Sequence, residues 1–110
     1  MSNIFYNPEK FGLKIFEQIE DDHASYSFDD FVIWERLEDG KLFYATDSGC
    51  SCASQFEDTG ISDLRPIVNI EDLDAAIEEY RDPYKNPEIQ RCTIDRKREV
   101  LRKVKEHLKP

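Results

Sequence analysis

The chain has 110 residues, 39% of them hydrophobic and 12% aromatic, with a formal net charge of -9 at pH 7. That length suits one domain, 1–110, with enough apolar surface to offset the entropy of ordering, which argues against global disorder. The acid excess argues against direct nucleic-acid binding, and no apolar run reaches the roughly 20 residues a membrane helix needs.

Asn7-Pro8-Glu9-Lys10 reads as a helix start, with Asn7 as the cap, Pro8 in the first turn and Gly12 ending it almost at once. Leu13, Ile15 and Ile19 then fall on one side of a period-2 pattern, which predicts a strand. Asp21-Asp22-His23-Ala24 reads as a polar loop. From Tyr26 to Leu37 one face holds Tyr26, Phe28, Val32 and Trp34, and the other holds Phe31, Ile33 and Leu37. Apolar residues on both faces predict a central strand covered on each side. Asp39-Gly40 is the preferred pair for a two-residue type I′ hairpin, with Leu42–Ala45 returning as a third strand. Residues 47–63 lack periodicity and are rich in small polar groups, so they read as an ordered cysteine loop, and Ile67-Val68 as a short strand.

Asn69 caps a predicted helix whose stripe is Ile70, Leu73, Ile77 and Tyr80, ending near Asp82-Pro83. Asn86-Pro87-Glu88 repeats the start signal of residue 7. A last helix is expected from there to about His107, with Ile94, Leu101, Val104 and Leu108 on one face and its bases near the C-terminal end. The expected fold is therefore α+β: a three- to four-stranded antiparallel β-meander packed against two C-terminal α-helices. Residues 1–68 form the β-rich body and 69–110 the helical part, with Trp34, Phe28, Val32, Leu73, Ile77 and Leu101 in the core.

Four stretches occur in order over the first sixty residues: Asn7-Pro8-Glu9-Lys10-Phe11-Gly12-Leu13, Tyr26-Ser27-Phe28-Asp29, Val32-Ile33-Trp34 and Asp47-Ser48-Gly49-Cys50-Ser51-Cys52. Together they resemble a family of uncharacterised small proteins carried by bacteriophages and prophages. Ala53 stands where a Pro would be expected, and the tail beyond residue 83 exceeds the similar part, as an addition to it. The resemblance implies a phage setting, hence the cytoplasm of a bacterial host, and a shared loop, but no reaction. A start of Met1-Ser2-Asn3, unlike a signal peptide, leads to the same location.

The chemistry-bearing residues are few. Cys50 and Cys52, with Cys92 and His23 (or His107), are the candidate zinc ligands, since thiolate and imidazole suit that metal. The spacing lacks the paired Cys-x-x-Cys knuckles of structural zinc sites, and the plainer reading is thiols packed under a loop, with Cys92 on the buried stripe of the last helix near Ile89. A Cys50–Cys52 disulfide would close a very small, labile ring. A nucleophilic cysteine would need His23 and Asp47 or Asp29 beside it, which the spacing does not require. Ser48-Gly49-Cys50 could form a nest of amides for a phosphate, with no Walker-type lysine after it.

Charge is unevenly placed. Residues 1–87 carry 20 acids against 7 bases, and residues 88–110 carry 4 against 8. Glu71, Asp72, Asp74, Glu78, Glu79 and Asp82 lie at helical spacing, either as a solvated face or as an imitation of a phosphate row. With no complete catalytic set, the sequence reads as a non-enzymatic accessory protein that binds a protein partner, with Asp47, Ser48, Glu71, Asp74, Glu78 and Glu79 as its contact surface. The alternatives are a zinc- or redox-responsive module at Cys50 and Cys52, and an acidic nucleic-acid mimic.

Overall fold

The computed structural model describes residues 3–20, 27–50, 56–57, 59–81 and 94–109; at 20, 27–29, 48–50, 81 and 94 it describes the backbone alone. The expected α+β architecture is present. A 3-10 helix, Pro8–Phe11, leads into a four-stranded antiparallel sheet in the order β1 (Leu13–Glu20), β2 (Ser27–Arg36), β3 (Leu42–Cys50) and β4 (Arg65–Pro66). Two helices follow, α1 (Ile70–Arg81) and α2 (Ile94–Leu108).

The sheet separates two apolar clusters. On one face α1 and α2 bury Leu73, Ile77, Tyr80, Val100 and Val104 against Ile19, Phe31, Ile33 and Leu42. On the other, the N-terminal segment and the stretches at 56–57 and 59–64 bring Ile4, Phe56 and Leu64 onto Leu13, Val32 and Trp34. β2 supplies both clusters, as the two-faced pattern of the central strand predicts. The Trp34 indole N–H donates to the Ile4 carbonyl at 2.8 Å, satisfying two polar groups that would otherwise be orphaned in an apolar core.

Leu13, Ile15 and Ile19 do not share a side of β1. The register with β2 runs Leu13↔Arg36 to Ile15↔Trp34 and resumes at Glu17↔Ile33, leaving Phe16 as a bulge. An extra residue reverses the alternation beyond it. Leu13 therefore belongs to the Trp34 cluster, Ile19 to the helix cluster, and Ile15 is left at the surface.

Other expectations are corrected by the hydrogen bonding. Asn7 holds the N-cap position of the 3-10 helix without a side-chain bond, while Asn3 closes the preceding turn, its Oδ1 accepting from the N–H groups of Phe5 and Tyr6 at 2.8 and 2.7 Å. Gly12 does end the 3-10 helix, at φ 73°. The β2–β3 connection is not a type I′ turn, because only Gly40 has a positive φ, 74°. Residues 37–40 form a wider turn closed by Gly40 N–H to the Arg36 carbonyl at 2.7 Å. Asp39 sits inside it, taking Arg36 Nε at 3.0 Å and Lys41 N–H at 3.2 Å.

The third strand does not stop at Ala45. It runs to Cys50, pairing through Asp30↔Asp47 to Ser27↔Cys50, so the expected loop 47–63 is strand for its first four residues. The short strand is Arg65–Pro66, opposite Tyr44 and Phe43, rather than Ile67-Val68. Proline, which cannot donate to a ladder, is tolerated at such an edge. Ile67 is buried and Val68 exposed.

α1 is as predicted: Asp72 N–H donates to Asn69 Oδ1 at 2.8 Å, and Leu73, Ile77 and Tyr80 are buried. The expected start of the last helix at Asn86 lies outside the described residues. Its buried stripe is Val100 and Val104, with Leu101 half-buried and Leu108 exposed, so the face is rotated from the one expected. Of the expected core, Trp34, Val32, Leu73 and Ile77 are buried, and the Phe28 side chain lies outside the description.

Candidate functional site

α1 and α2 lie side by side on the sheet, running in opposite directions. The start of α1 follows Ile67, whose N–H binds the Leu42 carbonyl, and its end brings the Tyr80 hydroxyl to the Ile19 carbonyl at 3.4 Å. α2 starts at that second end, where Arg96 donates to the Gln18 carbonyl at 2.7 Å, and finishes with His107 at Gly40.

Ion pairs fasten this layer. Lys97 holds Asp74 and Glu78 of α1 at 3.0 and 2.6 Å. The paired carboxylates raise the Lys97 pKa, Glu78 foremost. On the other flank Glu17 of β1 takes Arg96 at 2.9 Å and Lys103 at 2.6 Å. Burial pushes the Glu17 carboxyl up, but the bonds from Lys103 and Arg96 outweigh it and leave its pKa below the ordinary 4.5. Much of the basic tail thus neutralises the protein's own acids.

This divides the expected contact surface. Asp74 and Glu78 pair with Lys97, and Glu71, Asp72, Glu78 and Glu79 are all exposed. Asp47 is turned inward, its Oδ2 accepting from Phe56 N–H at 2.7 Å. Ser48 is placed by its backbone opposite Asp29 in the ladder.

Sequence reasoning passed over Asp30, which is 2% exposed on the face of Val32 and Trp34. Its register neighbours are Glu20 on β1 and Asp47 on β3, three acids in one row across the sheet. Like charges opposite one another repel, so the row persists only where other groups stabilise the carboxylates. An acid interrupting the apolar alternation of a central strand was the signal available.

A shallow groove of about 450 Å³ lies between β1 and α2, lined by Phe16, Glu17, Lys103, Glu106 and His107. His107 Nε2 lies 2.7 Å from the Gly40 carbonyl, an arrangement that requires the proton on Nε2, and its ring meets Phe16 edge-on at 5.1 Å. Each charged lining group already faces another, Glu17 to Lys103 and Glu106 to Arg102, so the groove is a seam that fastens α2 to the sheet.

Of the candidate metal ligands, His23, Cys52 and Cys92 lie outside the described residues, and Cys50 is placed only as the last residue of β3, opposite Ser27. Among the described residues, no three or more His, Cys, Asp or Glu side chains are grouped to hold a metal ion. The topology nonetheless brings five chain ends to one end of the sheet: Glu20, Ser27, Cys50, Arg81 and Ile94.

The sheet and its helix layer define an α+β domain. Residues 2–109 match the model of the family described as "Domain of unknown function (DUF7574)", and the chain belongs to that family. The match runs through α2, so the tail expected to lie beyond the shared part is within the domain. No curated protein and no solved structure matches the chain. No helix among the described residues is long and apolar enough to cross a membrane.

Proposed function

We propose that this protein is a phage-borne, non-enzymatic accessory protein that works in the bacterial cytoplasm by binding a protein partner through the outer face of α1. The observation that carries the reading is the division of the α1 acids. Asp74 and Glu78 anchor the helix to Lys97, and Glu71 and Asp72 stand exposed on the backbone so fixed. The partner chemistry this suits is a basic protein surface, including a nucleic-acid-binding groove of a host protein, where a carboxylate row takes the place of phosphates.

The test compares wild type with Glu71→Lys/Glu79→Lys as bait in host lysate at low and high salt. Proteins held by wild type at low salt, released by salt and absent from the variant support the reading. Identical capture by both baits, or catalytic turnover by the pure protein, would sink it.

A second reading is favoured by the convergence of chain ends. β3 ends at Cys50, at the end of the sheet where β1 and α1 also end and β2 and α2 begin. In the sequence Cys52 follows Cys50 by two, and His23 and Cys92 fall between those chain ends, which supports a zinc- or thiol-based module. One zinc per chain by elemental analysis, lost in Cys50→Ser, would support it. Metal-free protein with unchanged stability in Cys50→Ser/Cys52→Ser would remove it.

A further inference from the structure

The outer surfaces of the two helices carry opposite charges. Successive residues of a helix turn by about 100°, so the positions opposite Val100 and Val104 on α2 are 95, 98, 102, 105 and 106, with 109 just past its end. They hold Arg98, Arg102, Lys105 and Lys109 together with Asp95 and Glu106, all exposed, so bases outnumber acids four to two. Arg102 has only a 3.5 Å contact with Glu106 on the same helix. On α1 the positions opposite Leu73, Ile77 and Tyr80 are 71, 75 and 79, flanked by 72, holding Glu71, Ala75, Glu79 and Asp72, again exposed. An acidic row and a predominantly basic row therefore lie next to each other, antiparallel, on one face.

We propose that this face docks on a second copy of the chain, α1 of each lying on α2 of the other about a two-fold axis parallel to the helices. Only that axis works. A two-fold axis across the helices in the same plane would set α1 on α1 and α2 on α2, placing like charges together. The parallel axis keeps each helix's direction while exchanging its side. The start of α1, with Glu71 and Asp72, then meets Lys105 and Lys109 at the end of α2, and Glu79 meets Arg98 and Arg102. The pairing also opposes the positive start of one helix to the negative end of the other. Each contact occurs twice, as in any isologous interface.

The contact is small and polar. Helices of 12 and 15 residues are about 18 and 22 Å long, so the layer falls short of the roughly 800 Å² per partner of a standard interface. The dimer is consequently weak, reversible and sensitive to salt. It goes beyond the proposed function in needing no foreign molecule, and because it occupies the same α1 face, a basic partner and a second copy exclude each other.

Sedimentation velocity of the intact chain tests this. From about 10 µM to about 1 mM protein at ~20 mM NaCl, the mass should climb from monomer towards dimer, and about 500 mM NaCl should reverse it. Arg98→Glu/Arg102→Glu/Lys105→Glu/Lys109→Glu and Glu71→Lys/Asp72→Lys/Glu79→Lys should each remain monomeric at low salt, with far-UV circular dichroism verifying that both fold. Mixed in equal amounts the two variants should form a heterodimer, since the acidic helices of one then meet the basic helices of the other. Three results overturn the proposal: wild type monomeric at low salt, dimers unaffected by the reversals, or two folded variants that do not combine. A monomer that binds polyglutamate through Arg98 and Arg102 would also overturn it, in favour of an acidic partner. Failure of the lysate capture above leaves this result unaffected.

Discussion

Glu17→Gln isolates what the β1–α2 fastening contributes. The substitution keeps shape and removes the charge that Arg96 and Lys103 share at 2.9 and 2.6 Å. Glu17 has a side-chain exposure of 12%, so its bonds are charge-assisted and partly desolvated, the class that contributes about 1.5–3 kcal/mol when buried. Both partners reach further into solvent, and exposed pairs are worth only about 0.2–1 kcal/mol. Arg96 also keeps the Gln18 carbonyl and Glu99. The expected loss is therefore about 1–1.5 kcal/mol at pH 7, or roughly 3–6 °C in Tm for a domain of this size. Urea unfolding followed at 222 nm measures it. The pH dependence supplies the sharper criterion. The folded carboxyl titrates below the ordinary 4.5, so its stabilisation is complete above the unfolded value and lost as pH falls through the folded one. Wild type and variant should separate fully at pH 7 and converge in acid. Midpoints agreeing within about 0.3 kcal/mol at pH 7, or a gap unchanged at pH 3, would refute the reasoning.

Four further outcomes are measurable by the same unfolding assay. Trp34→Phe removes the donor to the buried Ile4 carbonyl and some core volume, and should cost about 2–3 kcal/mol. Asn69→Ala should cost about 1 kcal/mol and speed amide exchange at Asp72, whose N–H it caps. Gly40→Ala should cost about 1 kcal/mol through backbone strain at φ 74° rather than crowding, because the nearest atoms to an added Cβ are 3.7 and 3.9 Å away. Asp47→Ala should cost about 1–2 kcal/mol by stranding Phe56 N–H, with the loss appearing as faster exchange at that amide.

What was legible in the sequence were the elements whose signals are local. The cap at Asn69, the apolar stripe of α1, Gly12 after a proline-led turn and the two-faced β2 each follow from residues a few positions apart. What was not legible depends on pairing. Asp47-Ser48-Gly49-Cys50 has no hydrophobic period, and only the length of β2 beside it makes those residues a strand. The bulge at Phe16 is invisible to a strict alternation, which assigned Leu13 and Ile19 to one side. Asn3 and Asn7 carry equal capping potential, and the Trp34–Ile4 bond helps to place the segment in which Asn3 is used. Of the candidate site, only the helical spacing of the α1 acids was legible in the sequence. Their pairing with Lys97 required knowing where α2 lies.

The position of Trp34 has a practical corollary for spectroscopy. It is the chain's one tryptophan, and it lies in the cluster formed with Ile4, Phe56 and Leu64, on the side of the sheet away from the helices. Tyr44 and Tyr80 lie on the opposite side, around Phe31. Indole emission therefore reports the N-terminal side while helical ellipticity reports the other, so two optical signals watch the two halves of the molecule separately. Coincident transitions in a single titration would mean that β2, which supplies both clusters, transmits the loss of either one across the sheet. A fluorescence change preceding the loss of ellipticity would mean that the N-terminal covering detaches first from a sheet still held by its helices.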